Sequence, residues 1–248
     1  MIRLRLWPFW VIMLFFTWYQ GIWKIIVSIF LMMSLHECAH ICAALKYGYT
    51  LSHIDIFPFG FCAQISDIGY GNVYQELFIF LAGPCMHVLY PFVFAALVRL
   101  GWISVAFSDY LQWLNQSIVL FNLLPIYPLD GARILFGFLH LIFPYGKAQR
   151  YAYHLSIMDI GIVLAMGWMS NPAGMFTLAI LLVQIIKQNM QRLIDRLHFY
   201  QYRLDHPFDG RPCLHHQQDL YRMRTNYLIG SKGMLHEREW LKQILREK

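Results

Sequence analysis

The chain has 248 residues, 58% hydrophobic and 14% charged, with a formal net charge of +6 and a mean hydropathy of +0.44. Soluble domains carry about 25% charged residues, so this composition excludes an ordinary soluble domain and reads as an integral membrane protein. The basic residues gather at the start and after Lys187, which speaks for a cytoplasmic membrane face and against a nucleic-acid partner.

Met1-Ile2-Arg3-Leu4-Arg5 is a short basic start, and no small-residue cleavage site follows the first apolar run, so no cleaved leader is expected. Trp7 to Tyr19 is a first span, short of the usual ~20 residues unless the basic start and Gln20 are added. Gly21 to Tyr47 is a second. Between Gly48 and Gln75 the chain is more polar. Alternation at His53 to Phe57 and around Phe61 to Ile65, separated by Phe57-Pro58-Phe59-Gly60, predicts a hairpin or re-entrant loop. Glu76 to Leu100 is a third span, bent at Pro84. Tyr110 to Phe143 is too long for one helix and is interrupted by N-L-L-P-I-Y-P-L-D-G, Asn122 to Gly131. Pro144 to Arg150 is a basic turn, Tyr151 to Met169 a fifth span and Gly174 to Met190 a sixth. A polar tail follows, with an amphipathic helix predicted over Leu235 to Leu245. The five cysteines, Cys38, Cys42, Cys62, Cys85 and Cys213, have no framework spacing, and no disulfide is expected.

The predicted fold is thus an all-α polytopic membrane protein of about six transmembrane helices, with a small β-hairpin or re-entrant loop near the site. Residues 1–198 form the membrane domain and 199–248 a polar cytoplasmic tail, expected to be dispensable for folding the membrane core. Arg3 and Arg5, Lys147 and Arg150, and the basic tail all fall on one face if six spans are counted. That places both termini in the cytoplasm.

The second span contains His36-Glu37-Cys38-Ala39-His40. On a helix, positions i and i+4 lie within ~40° of each other, so His36 and His40 share a face and can bind one Zn²⁺, with Glu37 as general base for a bound water. The same five-residue pattern arises by chance in soluble helices. In a span, three ionisable side chains must be paired or metal-bound to be tolerated. A catalytic zinc keeps three protein ligands, and Asp130 in the proline-broken fourth span is the best third candidate. It can instead cap the helix that starts at Gly131. Asp159, in the fifth span, is a rival without a helix break. Asn122 is a donor for a developing oxyanion or for substrate backbone, or else an interhelical contact. His87, His140 and His154 are single residues at span positions, most simply read as hydrogen-bonded core.

The pair of motifs, H-E-C-A-H in one span and N-L-L-P-I-Y-P-L-D-G in a later one, resembles the site-2 protease family of intramembrane zinc metalloproteases. Phe57-Pro58-Phe59-Gly60 and Ala82-Gly83-Pro84-Cys85-Met86-His87 resemble its branch that processes a pro-sigma factor during sporulation. The likeness extends over roughly residues 20 to 195. It implies cleavage of a membrane-associated protein substrate, one zinc held by His36, His40 and Asp130, and Glu37 as acid/base. It also implies inhibitory membrane partners and, for a sporulation enzyme, a place in the membrane around the forespore. Phe57, Pro58, Phe59, Gly60 and Asn122 then face substrate, with Pro125, Gly131 and His87 in support. Ala39 stands where the family commonly has Gly, and Ala132 where a second Gly is common; neither change removes a ligand. The residues after His198 are too few and too polar for the nucleotide-sensing CBS domain of that branch. Two other functions remain to be weighed: an idle relative serving as membrane chaperone or binding protein, for which Glu37 has no use, and a metal-ion transporter, which needs charged residues along a path on both sides of the site.

Overall fold

The computed structural model describes residues 3–6, 17–57, 60–166, 172–216, 219–230 and 233–246. They are mostly helical, with two three-stranded sheets, and the chain divides into two compact units. One holds Met1–Ile68 and Phe78–Leu123, the other Gly69–Leu77 and Leu124–Lys248.

The first unit is built on α1 (Trp23–Lys46), followed by most of α2 (Val73–Met86), whose residues up to Leu77 count with the second unit, and by α3 (Tyr90–Arg99) and α4 (Val105–Asn122). Trp23–Lys46 and Val73–Arg99 are long and apolar enough to cross a membrane. On α1 the usual amphipathic order is reversed. Leu31 and Leu35 are 54% and 47% exposed, whereas His36 and His40 are 3% and 5% exposed. An apolar exterior over a polar interior is what lipid, not water, selects. The expected first span lies mostly outside the described residues.

Three expectations are corrected here. The loop after α1 is more than a hairpin: β2 (Leu51–Phe57) and β3 (Gly60–Ile65) pair antiparallel, and β1 (Arg3–Leu6) adds in parallel to β2, with Arg3 opposite His53. The basic start is therefore a strand, and its R-L-R-L alternation was the signal. The third span is two helices, not one bent helix. Pro84 lies within α2, and His87, Val88 and Leu89 donate to the carbonyls three residues back, Pro84, Cys85 and Met86, at 3.2, 3.2 and 3.0 Å. That tight turn ends α2, and Pro91, which needs no donor there, starts α3. The fourth begins earlier than Tyr110, at Val105, because Ser104 caps it: Phe107 N donates to Ser104 Oγ at 3.2 Å.

The second unit holds α5 (Asp130–Ile142), α6 (Tyr145–Ala165), the 34-residue α7 (Pro172–Asp205), a sheet of β4 (Pro212–His215), β5 (Thr225–Gly230) and β6 (Gly233–His236), and α8 (Glu237–Arg246). The predicted basic turn before Tyr151 is the first part of α6. Helix α7 continues past residue 198, and the segment beyond it is folded. Tyr145 and Phe199 stack at 4.2 Å, and both enter one buried core with Tyr200, Leu220, Leu228 and Leu241. Arg203 donates to Glu237 Oε1 at 3.0 Å and to the Arg222 carbonyl at 2.9 Å. Arg222 donates to Glu76 Oε1 at 2.7 Å. The segment beyond residue 198 thus shares a core with α6 and α7. Its low mean hydropathy reflects polar groups that are paired internally.

Candidate active site

Each histidine of the α1 motif is buried and held by its Nδ1. His40 Nδ1 donates to the Ile79 carbonyl of α2 at 2.7 Å, and His36 Nδ1 lies 3.1 Å from His87 Nε2. The two remaining nitrogens converge: His36 Nε2 and His40 Nε2 are 3.0 Å apart, with ring planes crossed at 80°. Two nitrogens bound to one tetrahedral zinc at 2.0–2.1 Å would be about 3.3 Å apart, so this pair is close to a ready-made half of a site. Space is reserved as well. A Cβ at Gly83 would sit 2.6 Å from His36 Nε2 and closer still to His40 Nε2; only glycine leaves that position open. Residues of α1 and α2 thus fit a small cation that takes imidazole nitrogen.

Glu37 points elsewhere on α1. Its Oε1 accepts from Ala63 N of β3 at 2.8 Å, which ties the carboxylate to the strand beside the helix. Among the described residues its second oxygen has no bonded partner, so it is available to a water. His87 closes the α2–α3 turn, 3% exposed, with Nδ1 at 2.6 Å from Asn115 Oδ1 of α4. The sequence reading gave His87 only a supporting part and missed Asn115. A buried Asn among the polar residues Gln112, Gln116 and Ser117 of the same span carried no distinguishing signal in the sequence.

Of the other expected residues, Asn122 ends α4 in the first unit, half-buried. Phe57 ends β2 and Gly60 begins β3; Pro58 and Phe59 lie outside the described residues. In the second unit Asp130 is 9% exposed and is the first residue of α5, not its cap. Leu129 holds the cap position. The Asp130 carboxylate lies in the first turn, where the helix dipole favours a negative charge. Gly131 follows it, buried. The preceding loop is pinned by a residue the sequence reading passed over: Ser156 Oγ of α6 donates to the Pro125 carbonyl at 3.1 Å and accepts from Tyr127 N at 3.3 Å. His140 is enclosed in the core, between Phe136 at 4.1 Å and Tyr145 at 4.9 Å.

Comparison with known proteins gives the class first. Residues 96–168, which contain the Asn122 to Gly131 loop, match the model of Peptidase family M50. The solved Site-2 Protease from Methanocaldococcus jannaschii superposes with a TM-score of 0.56 over 73% of this chain and 85% of that one, at 24% identity, so the fold is that of a site-2 protease. Among individual relatives, the chain is 28% identical over 130 residues to Stage IV sporulation protein FB of Bacillus subtilis, covering 52% of this chain and 45% of that protein. It is 29% identical over 154 residues to Zinc metalloprotease MJ0392 of Methanocaldococcus jannaschii, covering 60% and 44%. The matches span less than half the length of these two relatives. The resemblance read from the two motifs holds in sequence and in fold.

Proposed function

We propose that the chain is an intramembrane zinc endopeptidase that cuts a membrane-associated protein. The observation that carries this reading is the convergence of His36 Nε2 and His40 Nε2 on a helix that also bears Glu37 and has an apolar exterior. Asp130 is the third ligand. In its favour are its carboxylate chemistry, its burial, its place in the first turn of a helix, and the resemblance of its loop to the M50 model.

Bound zinc would polarise the scissile carbonyl and lower the pKa of its water toward ~7. Everything else falls to the chain. Glu37 takes the proton of the attacking water and delivers it to the leaving amine. Asn122 donates to the oxygen on which charge develops. The substrate lies extended along the sheet segment Ile54 to Ile65, at the outer edge of β3 since β2 is paired on both sides, because a carbonyl inside an intact helix is already hydrogen-bonded and the freed amides need partners in a low-water setting. Phe57, Pro58, Phe59 and Gly60 contact the substrate in this reading. The bond from Ala63 N to Glu37 supports this placement, since it keeps the base next to strand β3.

Six spans with both termini in the cytoplasm complete the proposal. The pairing of β1 with β2 supports it, for Arg3–Leu6 and Leu51–Phe57 then share a membrane side, as an even number of crossings between them requires. Residues from 199 onward lie on that cytoplasmic side. The relative named as a sporulation protein makes a pro-sigma factor the first substrate to try, inhibitory membrane proteins the first partners, and the membrane around the forespore the place.

Metal analysis of purified protein tests the ligand set. One zinc per chain is expected, and His36→Ala, His40→Ala and Asp130→Ala should each lose it. An Asp130→Ala protein with full zinc would move the third ligand elsewhere. Reporters fused after Arg5 and after Arg203 should both read as cytoplasmic; opposite readings would mean an odd number of spans.

A further inference from the structure

The zinc half-site needs His36 to present Nε2 as a lone pair, which a neutral imidazole does only if its hydrogen is on Nδ1. The chain of contacts running away from His36 enforces that tautomer. Asn115 Nδ2 donates to the His87 carbonyl at 3.0 Å, and this fixes which end of the amide faces which way. Asn115 Oδ1, an acceptor only, is therefore the atom 2.6 Å from His87 Nδ1. His87 must carry its hydrogen on Nδ1, and in the neutral ring Nε2 is then an acceptor. At 3.1 Å from it, His36 Nδ1 must be the donor, and His36 Nε2, facing His40 Nε2 at 3.0 Å, carries the lone pair. His40 reaches the same state directly, through Ile79 O.

We propose that His87 and Asn115 are positioning residues that fix the ring and tautomer of His36 for metal binding. They form a neutral relay in which one clamped amide sets two imidazoles in turn. The groups are placed for this and for little else. His87 and Asn115 are 3% and 4% exposed. They come from the α2–α3 turn and from α4, 28 residues apart in sequence. Tyr90 packs edge-on against the His87 ring at 5.2 Å while its hydroxyl donates to the Met32 carbonyl of α1 at 2.8 Å, holding the turn against the motif helix. The break between α2 and α3 is what turns His87 inward. Partners of this kind on a metal-ligating histidine typically govern affinity by 10–100-fold.

The relay rests on the zinc reading of the site, and the test separates the two. Zinc affinity is measured by chelator competition on the full purified chain, together with the visible spectrum of the Co²⁺-loaded protein. His87→Phe keeps a ring but offers no acceptor; it should weaken zinc binding by about 10–100-fold and shift the Co²⁺ bands. His87→Gln restores a carbonyl acceptor and should recover most of the loss. Asn115→Leu should weaken zinc in the unaltered chain but add nothing in the His87→Phe background, because it acts only through His87. If His87→Phe does not accumulate in the membrane, Asn115→Leu against Asn115→Asp, which keeps the acceptor, carries the same comparison. Unchanged affinity in His87→Phe or Asn115→Leu, or equal losses from Asn115→Leu in both backgrounds, overturns the relay and leaves the zinc site standing. An unaltered chain that takes up no zinc overturns both.

Discussion

Glu37 Oε1 of the motif helix accepts a hydrogen bond from Ala63 N of strand β3 at 2.8 Å. The base and the edge of the sheet are thereby one mechanical piece. In the β1-β2-β3 order β3 is an edge strand, and the Ala63 amide points to Glu37 rather than into the ladder with β2. Replacing it with proline removes this donor and no ladder bond, which an edge position tolerates. A bond to a charged group is worth about 1.5–3 kcal/mol. If that appears in the barrier, Ala63→Pro should slow cleavage by roughly 10–100-fold while zinc content stays normal. Unchanged cleavage would show that the tether does not place the base.

Gly83 gives a prediction of opposite kind. A methyl group there would fall between the two Nε2 atoms, so Gly83→Ala should abolish zinc uptake although no ligand is touched. The check is metal content at matched membrane levels. Full zinc in Gly83→Ala would mean that the two histidines separate enough to admit a methyl as well as a metal.

Arg222 and Glu76, 146 residues apart in sequence and 2.7 Å apart in space, are 1% and 2% exposed. Glu76 Oε1 also accepts from the Gly69 and Gly71 amides at 3.0 and 3.1 Å. Removing one member of a buried ion pair typically costs about 3–5 kcal/mol, because the other is left buried and charged. Arg222→Ala should therefore lower the thermal midpoint of the detergent-solubilised protein markedly, and the Arg222→Met, Glu76→Gln double variant should recover much of the loss. Truncation after Arg203 removes Leu220, Leu228 and Leu241 from the core around Phe199 and should abolish accumulation in the membrane. A truncated chain that accumulates normally would refute this view of the C-terminal segment.

What could be read from the sequence was what is local. His36, Glu37 and His40 are ordered by helix geometry alone, so their shared face needed no fold to be seen. The proline-rich break before Asp130 was equally local, though whether that aspartate capped its helix was not: the cap falls one residue earlier, at Leu129. What escaped notice depends on distant pairing. Arg3–Leu6 looks like a short basic start until β2 is beside it. Asn115 gains meaning only from the turn that brings His87 within 2.6 Å. The C-terminal segment looked like solvated tail because averaging its hydropathy hides Leu220, Leu228 and Leu241 among polar residues that are themselves internally bonded, Asn226 and Glu237 at 2.7 Å among them.

The most direct test of the proposed activity compares the unaltered chain with Glu37→Gln, each co-expressed with a membrane-tethered candidate substrate and each assayed for zinc after purification. Glutamine keeps the shape of the side chain and cannot take the proton of the water. The account predicts equal zinc in the two proteins and cleavage by the unaltered chain alone. Cleavage by a zinc-loaded Glu37→Gln protein, or loss of zinc from it, would contradict the assignment of Glu37 as the base beside a metal held by its neighbours.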